Sequence, residues 1–249
     1  FLHTFLVNEP PLWRHVLTER PQDFPKSPRM AAGLEPLLGQ GVFITNGPLW
    51  ERQRRIIDPA FEGGRLRDTF PAMRASAEAT VARLVALAGA EPVELDGPMS
   101  HATADVIFRT LFSMPIEDAT AAAVYKAFRD YQRTQPLLNL AAFLPLPRWM
   151  PRLHRPATLR AARKIRALIA GLVARRRAEI ASGTAPDDLA TKILTTPDPV
   201  DGKTFSDAEM VDQVAVFFLA GHETSASALS WALYLMALDP ELQERLAEE

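Results

Sequence analysis

Ser206-Asp207-Ala208-Glu209 opens, and Asp239-Pro240 closes, a run whose centre reads Val214-Ala215-Val216-Phe217-Phe218-Leu219-Ala220-Gly221-His222-Glu223-Thr224-Ser225. The opening is a capping box: the serine oxygen can accept from the backbone of Glu209 while the glutamate reaches back to Ser206. No helix stop follows until Asp239 can cap, and Pro240 can open, a further helix. The spacing predicts one helix over Asp207–Leu238, about 32 residues or roughly 48 Å at 1.5 Å per residue. Val214 to Gly221 is apolar on every side, which places this stretch in the interior.

Local rules are broken together just beyond it. Gly221 in mid-helix costs about 1 kcal/mol against alanine, and a buried Glu223 costs more unless paired or protonated. Phe217, Ala220, Gly221 and Thr224 stand at i, i+3, i+4 and i+7 and share one face. Two small residues between a phenylalanine and a threonine leave a shallow groove, with the Thr224 hydroxyl as its only polar group. That hydroxyl can also bond back to the Ala220 carbonyl, and the neighbouring Glu223 can carry protons. Any one of these residues has an ordinary reading, close helix crossing or an acid paired with an arginine; the cluster as a whole points to a site. A zinc-protease helix is excluded because His-Glu-x-x-His needs histidine where Ala226 stands.

Working outward, helical periodicity and capping residues predict helices at Pro11–Glu19, Leu49–Phe61, Arg65–Ala88, Gly97–Ser113, Asp118–Arg133, Arg152–Ala181, Asp187–Leu194 and from Pro240 onward. Phe1 to Val7 reads as a short strand. Pro21 to Asn46, with four prolines, three glycines and little periodicity, reads as mostly loop with one helical turn near Glu35–Leu38. In the helix from Arg152, the residues Ile165, Leu168, Ile169, Leu172 and Val173 recur at helical spacing, so Arg163, Lys164, Arg166 and Arg175 to Arg177 form a basic, solvated face. Leu137 to Pro151 is apolar and proline-rich, which suits either a loop packed on the core or a lid over an apolar pocket.

The 249 residues are 47% hydrophobic, enough for one large core and within the range of a single domain or two small ones; 1–249 is taken as one mainly α domain. A formal charge of −2 and a pI near 6.3 give no global attraction to nucleic acid. There is no cysteine, so there is no disulfide framework, zinc-finger spacing or thiol nucleophile. No apolar run approaches the roughly 18 residues that cross a bilayer. None of His3, His15, His101, His154 and His222 has a spacing that argues for a metal ligand, and the set of metal ligands expected within the chain is none.

Upstream, Gly47-Pro48-Leu49-Trp50-Glu51-Arg52-Gln53-Arg54-Arg55 precedes Pro59-Ala60-Phe61. Trp50 and Arg54 are an i, i+4 pair on one helix face, and a guanidinium fork suits a carboxylate. Together with Ala220-Gly221-His222-Glu223-Thr224-Ser225, about 170 positions away and in the right order, this resembles the cytochrome P-450 family. That family carries Trp-x-x-x-Arg and, on its long central helix, Ala/Gly-Gly-x-Asp/Glu-Thr-Thr/Ser. Its Glu-x-x-Arg helix and the cysteine loop that ligates iron have no counterpart here, so the chain looks like a truncated, haem-distal, helical part of the cytochrome P-450 fold with a small β element at its N-terminus.

The resemblance implies a haem-dependent monooxygenase that inserts one atom of dioxygen into a hydrophobic substrate. The cofactor is haem b, iron-protoporphyrin IX, whose thiolate bond favours O–O cleavage. Electrons come from NAD(P)H through a ferredoxin or flavoprotein reductase, with the helix of Arg52 and Arg55 as a docking guess. By the same resemblance Thr224 and Glu223 are catalytic, the threonine bonding oxygen or its water and the glutamate feeding protons. Ala220 and Gly221 make room above the ring, Trp50 and Arg54 hold a propionate, and Phe217 borders substrate. Expected partners are that substrate and the reductase, with no nucleic acid and no membrane span, in a soluble, cytoplasmic, bacterial-type protein. The chain opens on Phe1, which leaves an upstream anchor open. A cysteine-free ligand-binding or regulatory relative without redox chemistry is the alternative, and a plain helical scaffold is the third reading.

Overall fold

The computed structural model describes residues 5–63, 65–89, 92–134 and 154–248, and among these every regular element is helical. α1 (Pro10–Arg14) runs on as a π turn over His15–Glu19, and α2 (Pro28–Leu38) and α3 (Gly47–Ile57) follow. Beyond them lie α4 (Arg65–Leu87), α5 (Asp96–Phe112), α6 (Ala119–Thr134), α7 (Pro156–Ser182), α8 (Leu189–Thr195), α9 (Asp207–Ala237) and α10 (Pro240–Glu248). Of the strand expected over Phe1 to Val7, residues 1–4 lie outside the described residues; residues 5–7 form no strand, no strand occurs among the described residues, and Phe5 and Leu6 stand exposed. The connector Leu137 to Pro151 lies outside the described residues.

The stretch Pro21 to Asn46 contains more helix than its prolines suggest. Ser27 caps α2 by accepting from the Arg29 amide, and Pro28 occupies the first helical turn, where its missing N–H costs nothing. Pro36 sits inside the helix and removes one i→i−4 bond, yet Leu37 and Leu38, both fully buried, hold the last turn against the core. Gly39 ends it at φ +54.

α9 is the axis of the molecule. It packs most extensively on α5 and next on α7 and α2, while α4 covers α5 and α6 pairs with α7. Its capping box forms as expected, Ser206 accepting from the Glu209 amide and Glu209 from the Ser206 amide. Val214, Ala215, Val216 and Phe218 are buried, and the Phe218 ring lies 4.5 Å from Phe108 of α5 and 5.6 Å from Phe128 of α6. Burying each of these rings stabilises the fold by about 1.5–3 kcal/mol.

Polar groups decide how α3 meets α9. The loop between α2 and α3 presents its backbone to both: Gln40 N donates to Asp212 Oδ2 at 2.8 Å and Val42 N to Gln213 Oε1 at 2.9 Å, while Gln53 Nε2 donates to Gln40 O at 2.6 Å. The Thr45 hydroxyl closes the set by donating to Gln53 Oε1. Asp212 also pairs with Arg166 Nη2 at 2.7 Å. Further along, Arg55 grips Asp198 with two bonds of 2.7 and 2.9 Å, and Arg52 joins Glu209 and the Thr204 carbonyl.

The basic face of α7 is only partly solvated. Arg163 and Lys164 are exposed. Arg176 is 4% exposed and binds Asp188, Glu179, Thr191 and the Phe112 carbonyl; Arg177 reaches Asp207 and the carbonyls of Leu194 and Phe205. The ends of α5 and α8 and the loop before α9 each present a carboxylate or unpaired carbonyls towards α7, and arginine satisfies several at once.

Two measurements test these ties. A Cβ at residue 39 would fall 2.1 Å from Asp212 Oδ1, and φ is positive there. Gly39→Ala should therefore lower unfolding stability by on the order of 2–4 kcal/mol in urea, well beyond an ordinary surface change. Arg55, by its hydrogen bonds and charge, holds the buried Asp198 carboxyl down at about 2, from an ordinary 3.8. A carboxylate whose pKa falls on folding contributes its stability fully above the ordinary value, and that contribution is lost as the pH drops towards about 2. Asp198→Asn should lower stability at pH 7 and flatten its fall between pH 4 and 2, read from denaturation midpoints across pH.

Candidate active site

α9 changes character half-way along. From Ala220 onward its open side carries Ala220, Glu223, Thr224 and Ser225, all exposed, while His222 and Ala226 remain buried on the side facing the core. The apolar run is therefore interior only as far as Phe218, and the burial expected for Glu223 is not found: no element among the described residues covers that side. Residues two apart on a helix point about 200° away from each other, so a buried His222 and an exposed Thr224 follow from the same geometry.

His222 is the fixed point of this turn. Its Nδ1–H donates to the Phe218 carbonyl at 2.6 Å, its Nε2 lies 3.1 Å from the Gln132 side-chain amide of α6, and its ring meets Phe128 edge-on. With Phe218 O able only to accept, the tautomer bearing the proton on Nδ1 satisfies both contacts. Thr103 of α5 donates its hydroxyl to the His222 carbonyl at 2.8 Å, the shortest of the three carbonyls it reaches. The sequence shows only that His222 lacks metal-ligand spacing, and its one local signal is the i, i+4 relation to Phe218.

On the open side, Thr224 Oγ1 donates to the Ala220 carbonyl at 2.7 Å, as its spacing allows. Phe217 is half-buried and meets Phe61 edge-on at 5.9 Å, so two phenyl rings border the strip. Gly221 does not lie fully open with its neighbours: a Cβ there would come 2.9 Å from Ile107 Cδ1 of α5. Its small size serves the crossing of α9 over α5, and Ala220 and Thr224 form the exposed part of the groove.

Trp50 and Arg54 share a face of α3, the guanidinium carbon 5.9 Å from the indole centroid. Arg54 Nε binds Asp58 at 2.9 Å, and its terminal nitrogens have no partner among the described residues. Lys26, which no local pattern marks, lies over the same indole with Nζ 5.2 Å from its centroid. Burial first, and Arg54 second, push its ammonium below the ordinary lysine range. Arg52 and Arg55 are committed to acids and carbonyls near the start of α9, which leaves less free positive charge on α3 for docking a reductase than the sequence suggests.

The structure thus presents an open strip carrying Ala220, Glu223, Thr224 and Ser225 on α9 and, on α3, an indole approached by two cations. Such donors suit a flat ligand carrying carboxylates. No metal-binding cluster occurs among the described residues, and no described helix is long and apolar enough to cross a membrane.

Comparison with known proteins identifies the family. Pentalenene oxygenase of Streptomyces avermitilis is 33% identical over 96% of this chain and 51% of its own length. Cyclooctat-9-en-7-ol 5-monooxygenase of Streptomyces melanosporofaciens is 29% identical over 98% of the chain and 51% of its own, and a cytochrome P450 monooxygenase of Alternaria alternata 28% over 98% and 46%. The chain spans about half the length of the curated relatives it matches. Among solved structures, the haem domain of cytochrome P450DA superposes with a TM-score of 0.67 at 22% identity, covering 86% of this chain and 46% of that one, which shows the fold. The sequence matches the cytochrome P450 family over residues 2–249, and the chain belongs to that family.

Proposed function

We propose that this chain is the oxygen-side part of a haem-thiolate monooxygenase that oxidises a hydrophobic organic substrate with dioxygen and NAD(P)H-derived electrons. The observation that carries the reading is the exposed strip of α9, where Thr224 offers one hydroxyl among small side chains beside Phe217 and Phe61. When bound, haem supplies the capacity to bind and reductively activate dioxygen. The residues present fit it: Trp50 and Arg54 offer free donors for a propionate, and Ala220 leaves room for a ring. The 249 residues contain no cysteine, so none of them supplies a thiolate.

The chain's own contribution is proton handling and exclusion. Thr224 Oγ1 already donates to Ala220 O, so its lone pairs are free to accept from a water held in the groove. Glu223, one residue back and open to solvent, can exchange protons with that water. Phe217 and Phe61 present apolar walls that favour an apolar substrate over bulk water. The relatives named for pentalenene and for cyclooctat-9-en-7-ol support a hydrocarbon-rich substrate class. Electrons arrive from a ferredoxin or flavoprotein partner.

Two experiments on the complete protein test this. Its reduced carbon monoxide complex should show the shifted Soret band of a thiolate-ligated haem; an unshifted spectrum would favour a relative without oxygen chemistry. Thr224→Ala should cut product formed per NAD(P)H consumed by on the order of tenfold, the balance appearing as peroxide or water. An unchanged ratio refutes the role of Thr224.

A further inference from the structure

Beyond Phe218, apolar packing alone does little to stop α9 from turning about its own axis. Its packed face there carries Gly221, His222 and Ala226, and among the described residues no element covers the opposite side. Glycine and alanine raise no ridges to lock into the grooves of α5, so packing sets the distance between the helices better than it sets rotation. Rotation matters at this turn. A helix with its side chains is about 10–12 Å across, so a rotation of roughly 12° moves an atom at its surface by about 1 Å. At a reacting centre a displacement of about 1 Å can cost on the order of 10²-fold in rate.

His222 supplies the constraint. Its ring is held from three directions: Nδ1–H donates to Phe218 O at 2.6 Å within α9, Nε2 lies 3.1 Å from the Gln132 side-chain amide of α6, and Phe128 meets the ring edge-on with centroids 6.0 Å apart. Its carbonyl accepts from Thr103 Oγ1 of α5 at 2.8 Å. Hydrogen bonds are directional where apolar contacts are not, so polar groups from two neighbouring helices converge on one residue of α9 and fix the rotation of its turn. The residue is 1% exposed, and an apolar ring of similar size would fill the space with no polar group left to satisfy. Stability alone therefore does not call for histidine here. Thr224, two residues on and about 200° round the helix, is aimed outward by contacts made on the far side.

We propose that His222, tied to Gln132, is a positioning residue that aims the Thr224 hydroxyl into the open groove. This rests on the reading of Thr224 given above. The buried ring acts only through Thr224, and because Gln132 stands in the last turn of α6, the aim of the hydroxyl follows the place of that helix end.

The probe is carbon monoxide bound to the complete, reduced protein, whose C–O stretching band in the infrared reports the polar groups beside it and needs no turnover. Thr224→Ala should shift that band. His222→Phe combined with Gln132→Leu removes both polar partners at once, so the denaturation midpoint should stay near that of the wild type while the band shifts or broadens. Adding this pair of changes to Thr224→Ala should leave the band of that variant where it was, since no hydroxyl remains to be aimed. A wild-type band in the paired variant, whatever its midpoint, or a further shift on top of Thr224→Ala, overturns the positioning role while leaving Thr224 in place. Should the paired variant not fold, Gln132→Leu alone is read by the same band and decides. A band unmoved by Thr224→Ala overturns the reading of Thr224 and this inference with it, and is told apart because it appears with His222 intact.

Discussion

Everything in this structure leans on the way two buried side-chain oxygens, Asp212 Oδ2 and Gln213 Oε1, are satisfied. They lie in the first turns of α9, where apolar neighbours exclude water, and burying such groups unpaired costs several kcal/mol. Their partners are the backbone amides of Gln40 and Val42. Two helix residues thereby dictate the path of a loop about 170 positions earlier, and that loop in turn binds Gln53 of α3 and the ammonium of Lys26. The Trp50 face and the Thr224 strip, on different helices, keep a fixed relation because this one loop is bonded to both supports. Gly39 is indispensable to it, since any side chain there would strike the carboxylate that receives Gln40.

The second half of α9 obeys a different balance. Up to Phe218 the helix is held by packing on α5 and α6; beyond it, packing continues only on the His222 and Ala226 side. His222 and Thr103 add side-chain donors to the carbonyls of residues 218 and 222, and Thr224 adds one to residue 220. Three carbonyls of one turn therefore have a second partner besides the helical amide. A turn supplied in this way can lengthen its ladder bonds at little cost, since each carbonyl keeps a donor.

Much of this architecture was legible in sequence because α4 to α9 carry apolar residues at helical spacing and ordinary caps, and the ends of α9 and the start of α10 fall close to where Ser206 and Pro240 place them. Only the last turn of α2, near Glu35–Leu38, is legible in sequence, because proline counts as a breaker in a windowed reading, whereas Ser27-Pro28 is a start signal once the order of the two residues is weighed. The arginines of α7 read as a solvated face because periodicity reports where apolar groups point and is silent on which carboxylates arrive from elsewhere in the chain. Asp188, Asp207 and Asp212 meet that helix only through tertiary folding. Lys26 is the limiting case: nothing within ten residues of it marks its place over Trp50, which the carbonyls of Val42 and Thr45 set.

At the candidate site, the family motif marked the right turn but not how its residues divide the work. Sequence put Phe217, Ala220, Gly221 and Thr224 on one stripe and assigned the stripe to one purpose. A helical stripe at i, i+3, i+4 and i+7 spans a range of directions, because four residues advance 400° and seven 700°, and neighbouring members can straddle the boundary between packed and open surface. Gly221 falls on the packed side, where the distance to Ile107 leaves no room for a methyl group without a shift. Ala220 and Thr224 fall on the open side, and Phe217 stands on the border, touching the core with one part of its ring and Phe61 with another. Small residues here thus meet two separate demands, close crossing of α5 and space over Thr224. Enlarging Gly221 would act first on how α9 sits against α5, and enlarging Ala220 on the open groove itself.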